Sequence, residues 1–276
     1  MPAISLLEIE ETLKIADPQK RHETLHAVAD MFLSVAPTLD DEKVELYDEV
    51  LNLLVNTAEQ REIATVSQRI AALDNAPRQL VKRFASDDDI EIASPVLAQS
   101  PRLTTDDLCE IARSKGNGHM LAMSSRVGLA EPVTDILATR GDHDVARALA
   151  NNHTAKLSAS GIERLLEKGD GIAIGQSLGA RGDIPPAILQ AARERVSAKA
   201  AARSRRAAAA QRLMSDLKQS GGLDEGRILG FANVQKYEEV IASLALLSNL
   251  EFAAVENMMH PHRIGGIVLV CKSAGL

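Results

Sequence analysis

Helical repeats constrain this chain more than any other feature of its sequence. Apolar residues recur at the three- and four-residue steps of an amphipathic helix, and from about residue 76 the helices recur in pairs. The first helix of each pair opens on an apolar residue every 25 to 29 residues, at Leu80, Leu108, Val133, Ile162 and Ile188. The second helices follow the same rhythm, at Ile92, Met120, Val145 and Ile172. Since one pair cannot bury its apolar face alone, this period predicts a stack of neighbouring pairs.

The first 75 residues show the helical spacing without the repeat. Four runs of apolar residues predict four helices, the first of them carrying Leu6, Ile9 and Leu13. Short polar breaks between the runs predict antiparallel neighbours. We therefore expect an N-terminal helical bundle over residues 1–75, followed by HEAT-like helical repeats over residues 76–190.

Composition supports a helical fold. Aromatic residues make up 2% of the chain, whereas β-sandwiches and barrels depend on aromatic and β-branched residues. Alanine and leucine, which favour helices, are abundant. The expected fold class is all-α, a HEAT-like α-solenoid with an N-terminal helical bundle and a small C-terminal helical unit.

A long basic helix is predicted after the repeats. Residues 187–222 are rich in alanine and arginine, lack a wide apolar stripe and end at Gly221-Gly222, which indicates a long, partly exposed helix and a linker. Residues 223–276 return to helical spacing and predict a small C-terminal unit of three helices.

The charge and the cysteine content of the chain indicate which partners and which cellular compartment suit it. The formal net charge of −7 argues against a surface that binds nucleic acid everywhere. Two cysteines are too few for a disulfide framework, which favours a reducing compartment. The apolar run Ile267–Cys271 is too short to span a bilayer, so we expect a cytoplasmic protein without a membrane span.

Several short motifs resemble one known family. They are ASDDDIEIASPVL from Ala85 to Leu97, SPRL from Ser100, AMSSR ending at Arg126, and KSAGL from Lys272. In these motifs the chain resembles DUF2336, a bacterial family of unknown function that is common in alphaproteobacteria. The resemblance covers most of the chain and implies a helical HEAT-like scaffold with no established reaction. Members of the family usually continue with further helices, so we expect a short member or part of a longer protein.

Chemically reactive residues are present but do not form a recognised active site. His22 and His26 lie one helical turn apart, yet a zinc site needs a third ligand, so we interpret them as a solvated helix face. His260 and His262 are interpreted as loop residues. Cys109 is expected to be a buried, inert thiol.

Other polar clusters are interpreted as turns and caps. Asp87, Asp88 and Asp89 lack EF-hand spacing and are expected to cap a helix. The glycines of the segment 169–175 are interpreted as a turn within the repeats, and Asn151 and Asn152 as helix C-cap residues. We expect no catalytic residue, no cofactor and no metal.

Arginines are the strongest candidates for binding. Arg126 ends a second helix beside His119, and it is expected to hold a carboxylate such as Asp107 or Asp135, or an acidic ligand. Arg147 occupies a comparable place in the next repeat. In the basic helix, the candidates are Arg203, Arg205 and Arg206. They form either a solvated helix face or a contact for an acidic partner or a nucleic-acid backbone.

Three functions fit these observations. The first is a non-enzymatic scaffold that binds a protein partner, as helical repeats commonly do. The alternative is a nucleic-acid-binding HEAT-like protein, similar to some DNA glycosylases, which the negative charge and scarce aromatics disfavour. The third is self-association into a homo-oligomer through exposed apolar ends.

Overall fold

The structure, a computed structural model, describes residues 18–168, 171–259 and 264–275. Within these ranges it is helical, with no strand, which confirms the expected all-α fold class. The first helices are α1 (Pro18–Val35), α2 (Asp41–Val55), α3 (Gln60–Ile70), α4 (Arg78–Ala85), α5 (Ile90–Gln99), α6 (Thr105–Ser114), α7 (Asn117–Ser124), α8 (Glu131–Arg140), α9 (His143–Asn151), α10 (Ala159–Glu167) and α11 (Gly171–Gly179). The remaining helices are α12 (Pro186–Gln219), α13 (Glu225–Asn233), α14 (Tyr237–Ser248), α15 (Phe252–Met258) and α16 (Ile264–Ala274).

The chain divides into two compact units, Met1–Arg193 and Glu194–Leu276, with the division inside α12. The four segments expected from the sequence stay a prediction. The helix expected over Leu6, Ile9 and Leu13 lies outside the described residues.

In the first unit, most helices pack on the next helix but one. Helices α1, α3, α5, α7, α9 and α11 follow one another in contact, and we call them the odd row. The even-numbered helices pack in the same way, α2 on α4 and then α6 on α8 and α8 on α10. This arrangement follows from the amphipathic pattern, because each helix buries one stripe against both its sequence neighbour and its row neighbour.

The repeat positions predicted from the sequence are buried, with two exceptions. Leu80, Val133 and Val145 are fully buried, and Leu108, Ile92, Met120 and Ile162 nearly so. Ile172 and Ile188 lie at the starts of α11 and α12, as predicted, but their side chains are 75% and 41% exposed. In α11 the core positions are instead Ile174 and Leu178, which share the helix face opposite to Ile172.

Polar turns between the helices cap them as expected. Asp89 accepts a hydrogen bond from the backbone N–H of Glu91 at 3.0 Å at the start of α5. Asp142 accepts from the N–H of Val145 at 3.1 Å at the start of α9. Each cap satisfies a backbone donor that the first helical turn leaves without a partner.

The turn after α8 leaves no room for a side chain, and this yields a testable prediction. A Cβ placed on Gly141 lies 2.7 Å from the carbonyl oxygen of Leu137 and collides with the side chain of Val145. We expect Gly141→Ala to lower the free energy of unfolding by about 1–3 kcal/mol through this overlap. Chemical denaturation measures the change, with Gly116→Ala as the control, because nothing lies within 4 Å of a Cβ there. Equal stability of the two variants contradicts the prediction.

The second unit has its own core. Helix α14 packs against α13, α15 and α16, and the core contains Ile241, Leu244, Val255 and Val270. Within the unit, Met214 of α12 is fully buried. The three helices expected here from the sequence are present, and the structure adds α13, which the sequence pattern did not reveal.

Candidate interaction surface

Arg126 follows α7 and is tied to the preceding helix of the odd row. Its Nη1 donates to the carbonyl oxygen of Leu97 at 3.3 Å, and its Nη2 donates to that of Ser100. Burial lowers the pKa of the Arg126 guanidinium. The predicted carboxylate partners are wrong, because Asp107 pairs with Lys82 at 2.6 Å and Asp135 accepts from Ser158.

Asn152 repeats this arrangement one helix pair further on. It forms the C-cap of α9, as predicted, and its Nδ2 donates to the carbonyl oxygens of Ser124 and Arg126, each at 2.8 Å. These two carbonyls belong to the end of α7. The amide therefore satisfies acceptors that the end of that helix leaves without backbone partners.

Arg181 follows α11, and its hydrogen bonds to neighbouring helix ends are the most deeply buried among those of the described residues. Its side chain is 0% exposed. The guanidinium donates to the carbonyl oxygens of Asn152 at 2.8 Å and Ala155 at 2.5 Å, and to the carboxylate of Asp183 at 2.6 and 2.9 Å. These hydrogen bonds hold the pKa of Asp183 below its usual value. A planar cation with several donors fits this cluster of acceptors.

The even-numbered helices are also joined by side chains that donate hydrogen bonds to carbonyl oxygens at a neighbouring helix end. Arg140, at the end of α8, donates to the carbonyl oxygen of Ala112 at the end of α6. Lys168, after α10, donates to the carbonyl oxygens of Thr139 and Gly141 at the end of α8, both at 2.5 Å. Cations near helix C-termini also interact favourably with the helix dipole.

Arg140, Lys168 and Arg181 were not predicted from the sequence, although a signal exists. A cation directly precedes glycine and then aspartate or asparagine at four turns, Lys115-Gly116-Asn117, Arg140-Gly141-Asp142, Lys168-Gly169-Asp170 and Arg181-Gly182-Asp183. The glycine indicates the turn, and the aspartate or asparagine indicates the start of the next helix. The cation is the residue whose side chain bonds to a neighbouring repeat. Gly169 and Asp170 lie outside the described residues, so only their sequence enters this comparison.

His119 is also part of the scaffold. It is 7% exposed, and its Nε2 lies 2.7 Å from the carbonyl oxygen of Asp87. Because a carbonyl only accepts, Nε2 carries the proton. The ring therefore joins α7 to the turn before α5.

The outer face of α5 and α7 is almost without charge. These two helices contain one acidic residue, Glu91, and no lysine or arginine. Ile90 of α5 lies 3.5 Å from a Cβ placed on Gly118 of α7, so the two helix surfaces are continuous. We call this surface the uncharged face; it consists of Ile90, Ser94, Pro95, Ala98, Leu121 and Ala122.

An open groove adjoins the uncharged face. It encloses about 520 Å³ between α3 and α5, and its lining includes Ser94, Pro95 and Ala98 of the uncharged face together with Gln68 and the charged Glu91. Ile90, which lines the groove, is 37% exposed, and Leu121 on α7 is 43% exposed. Exposed apolar side chains next to a groove are typical of sites that bind another protein.

Arg147 lies on α9, the next helix of the odd row. Its Nη2 is 2.9 Å from the carboxylate of Asp144, and both side chains are about 60% exposed. A surface ion pair of this kind contributes little to stability and exchanges easily for a partner's carboxylate. Of the residues that the sequence analysis placed in the repeats, Arg147 is exposed, whereas Arg126 and His119 are engaged within the scaffold.

The basic helix is confirmed as a helix, and two of its three candidate arginines pair with carboxylates of the second unit. Arg203 lies 2.5 Å from Glu256, and Arg206 lies 3.0 Å from Glu238. Arg205 donates to the carbonyl oxygen of Ala201 at 3.3 Å, within its own helix.

Residues with catalytic or metal-binding potential have structural surroundings. Cys109 is buried, and burial raises the pKa of its thiol, which disfavours the reactive thiolate. His22 contacts the carboxylate of Glu62, so its interpretation as a simply solvated residue is wrong. Within the described residues, no group of three His, Cys, Asp or Glu side chains is placed to hold a metal ion. His260 and His262 lie outside these residues.

In the part of the chain that the structure describes, no helix combines the length and the apolar character needed to cross a membrane.

Comparison with known proteins identifies a family. None of the curated proteins and none of the solved structures matches this chain. The family model DUF2336, described as an uncharacterised protein conserved in bacteria, matches residues 92–208 and 187–276. These matches cover well over half of the chain, including α5, α7 and the basic helix. The chain therefore belongs to the DUF2336 family.

Proposed function

We propose that the packed helix rows of the first unit form a HEAT-like solenoid that acts as a non-enzymatic protein-interaction scaffold. The observation that carries this proposal is the uncharged face, where Leu121 and Ile90 are exposed on two packed helices that have one charged residue between them. The other helices of this unit from α1 to α10 contain two to six charged residues each, with six in α2, whereas α11 contains none. A local loss of charge with exposed apolar side chains is the pattern of an interface core.

The hydrogen bonds between neighbouring helix ends support this function, because they make the surface rigid. Arg126 and Asn152 each join the ends of two odd-row helices, so α5, α7 and α9 are held in a defined spacing. A preorganised surface loses little conformational entropy when it binds. We propose that the partner is an amphipathic protein segment, with an apolar anchor on the uncharged face and a carboxylate at Arg147.

A cytoplasmic location is part of the same proposal. Cys109 and Cys271 are both free thiols, which is consistent with a reducing compartment.

Nucleic-acid binding, the alternative function, receives less support from the geometry. Binding of the phosphate backbone depends on cations that replace condensed counterions. Arg203 and Arg206 pair with Glu256 and Glu238, whose side chains are only 25% and 24% exposed, so a nucleic acid that takes these arginines deprives partly buried carboxylates of their counter-charge. We therefore retain the protein-binding scaffold as the proposed function.

Site-specific photo-crosslinking tests the proposal. We expect a photoreactive phenylalanine analogue at position 121 to crosslink one defined protein in the native cell. The matched position is 46, where the leucine is 59% exposed on α2, and we expect no such adduct there. Leu121→Asp in a tagged chain is expected to reduce recovery of that protein at least about tenfold, since a buried interface anchor contributes 2 kcal/mol or more.

Two controls make the result decisive. The circular dichroism and thermal midpoint of Leu121→Asp should match those of the parent chain, because the side chain is on the surface. The proposal fails if positions 121 and 46 give the same adducts or if neither gives one. Recovery of nucleic acid in place of protein, with loss of that recovery in a variant lacking Arg203 and Arg206, supports the alternative instead.

A further inference from the structure

Helix α1 presents two histidines on one face. His22 and His26 are four residues apart in this helix, which places one ring above the other. Their ring centres lie 4.5 Å apart, and the ring planes are inclined by 63°. The side chain of His22 is 41% exposed and His26 is half-buried, so small ions in solution can reach both rings.

The carboxylate of Glu62 on α3 determines which nitrogen of His22 is available. One oxygen of Glu62 contacts Nδ1 of His22, and the other accepts a hydrogen bond from the backbone N–H of Glu59 at 3.2 Å. Because an ionised carboxylate only accepts, Nδ1 of His22 carries a proton and donates it to this bond. In the neutral ring Nε2 then keeps its lone pair, as a metal ligand must. A histidine that binds a metal usually has such a carboxylate on its second nitrogen.

The separation of the two rings fits a shared metal ion. Zinc lies about 2.0–2.1 Å from an imidazole nitrogen, and the ring centre is about 1.1 Å further away, so two imidazoles on a tetrahedral ion have ring centres about 5 Å apart. The observed separation of 4.5 Å is close to this value. A small rotation of the rings therefore brings both nitrogens to one ion.

We propose that His22 and His26 bind one divalent transition-metal ion, such as Zn²⁺ or Cu²⁺, and that Glu62 positions the ring of His22. Imidazole nitrogen suits these ions. Among the described residues no third His, Cys, Asp or Glu side chain completes the group, so water occupies the remaining positions of an open site. The proposal does not depend on the uncharged face, which lies on α5 and α7.

Calorimetric titration of the untagged full chain with ZnCl₂ tests the proposal. We expect one ion per chain with a dissociation constant of about 1–100 µM, since two ligands supply roughly half the binding free energy of a four-ligand zinc site. His22→Gln and His26→Gln should each raise this constant at least about tenfold. His143→Gln is the control, because His143 is exposed on α9, and it should bind zinc like the parent chain.

Glu62→Gln tests the positioning role of the carboxylate. Glutamine also completes the capping box that Glu62 forms at the start of α3, so the helix is retained while the negative charge is lost. We expect an affinity about tenfold lower with the stoichiometry unchanged. An unchanged affinity contradicts this role of Glu62.

Electron paramagnetic resonance of the Cu²⁺ form identifies the ligands. We expect two imidazole nitrogens in the parent chain and in Glu62→Gln, and one in His26→Gln. The double variant His260→Gln/His262→Gln should match the parent, because neither residue belongs to the pair. The proposal is overturned if zinc does not bind at about 1 mM, tenfold above the expected range. It is also overturned if the His260/His262 variant loses the ion or if His22→Gln and His26→Gln retain it.

Discussion

Arg181→Ala is expected to lower the free energy of unfolding by about 2–4 kcal/mol, because it removes a fully buried guanidinium that satisfies backbone carbonyl oxygens. The carbonyl oxygens of Asn152 and Ala155 then lose their donor, and Asp183 loses its counter-charge. Thermal unfolding of the full chain measures the effect, and we expect the midpoint of the first unit to fall by about 10 °C.

The comparison that isolates burial is Arg147→Ala. This arginine also pairs with an aspartate, but both side chains are exposed, so its loss should change stability by less than about 0.5 kcal/mol. Arg181→Lys should fall between the parent and the alanine variant, since an ammonium retains the charge and loses the planar set of donors. If Arg181→Ala and Arg147→Ala have the same unfolding midpoint, the buried hydrogen bonds of Arg181 do not stabilise the fold.

Asp48→Asn is the second substitution for which a large effect is expected, about 2–4 kcal/mol. Asp48 of α2 is 4% exposed, and its two carboxylate oxygens accept from the backbone N–H groups of Gln79 at 2.7 Å and Leu80 at 2.9 Å. An amide at this position replaces one acceptor with a donor, which faces one of these N–H groups. That leaves a buried donor unsatisfied at the start of α4.

Glu45→Gln is the matched control for Asp48→Asn. Glu45 lies on the same helix and is exposed, so the same change from carboxylate to amide should cost less than about 0.5 kcal/mol. Urea unfolding of the two variants gives the difference directly. A loss of less than 1 kcal/mol for Asp48→Asn contradicts the assigned role, because water then replaces the carboxylate as acceptor.

The part of the fold that can be predicted from the sequence is the part that depends on patterns within single helices. The apolar steps at Leu80, Leu108 and Val133 lie within single helices, so a short window of sequence contains the information. The same reasoning places Ile172 at the start of α11 but does not identify Ile174 and Leu178 as its buried residues, because this helix carries apolar residues on two faces and packing selects one. Helix α13 was missed for a related reason, since its glycines obscure the helical pattern.

The candidate site was less predictable than the fold. Arg126 and Arg147 look alike in sequence, since each lies at or near the end of a second helix. In the structure Arg126 is tied to two carbonyl oxygens, and Arg147 is exposed. Their difference depends on residues 26 and 29 positions away from Arg126, which no local window includes.

Sequence alone was sufficient for the all-α class, the pairing of helices, the long basic helix and the family, because each of these depends on local periodicity or on short motifs. The packing of the helices was needed to separate structural cations from exposed ones and to reveal the uncharged face. Carbonyl oxygens at helix ends look the same in every sequence, and only the approach of a neighbouring helix decides which side chain satisfies them. For that reason the repeat is apparent from the sequence, whereas the surface left for a partner is apparent only from the folded chain.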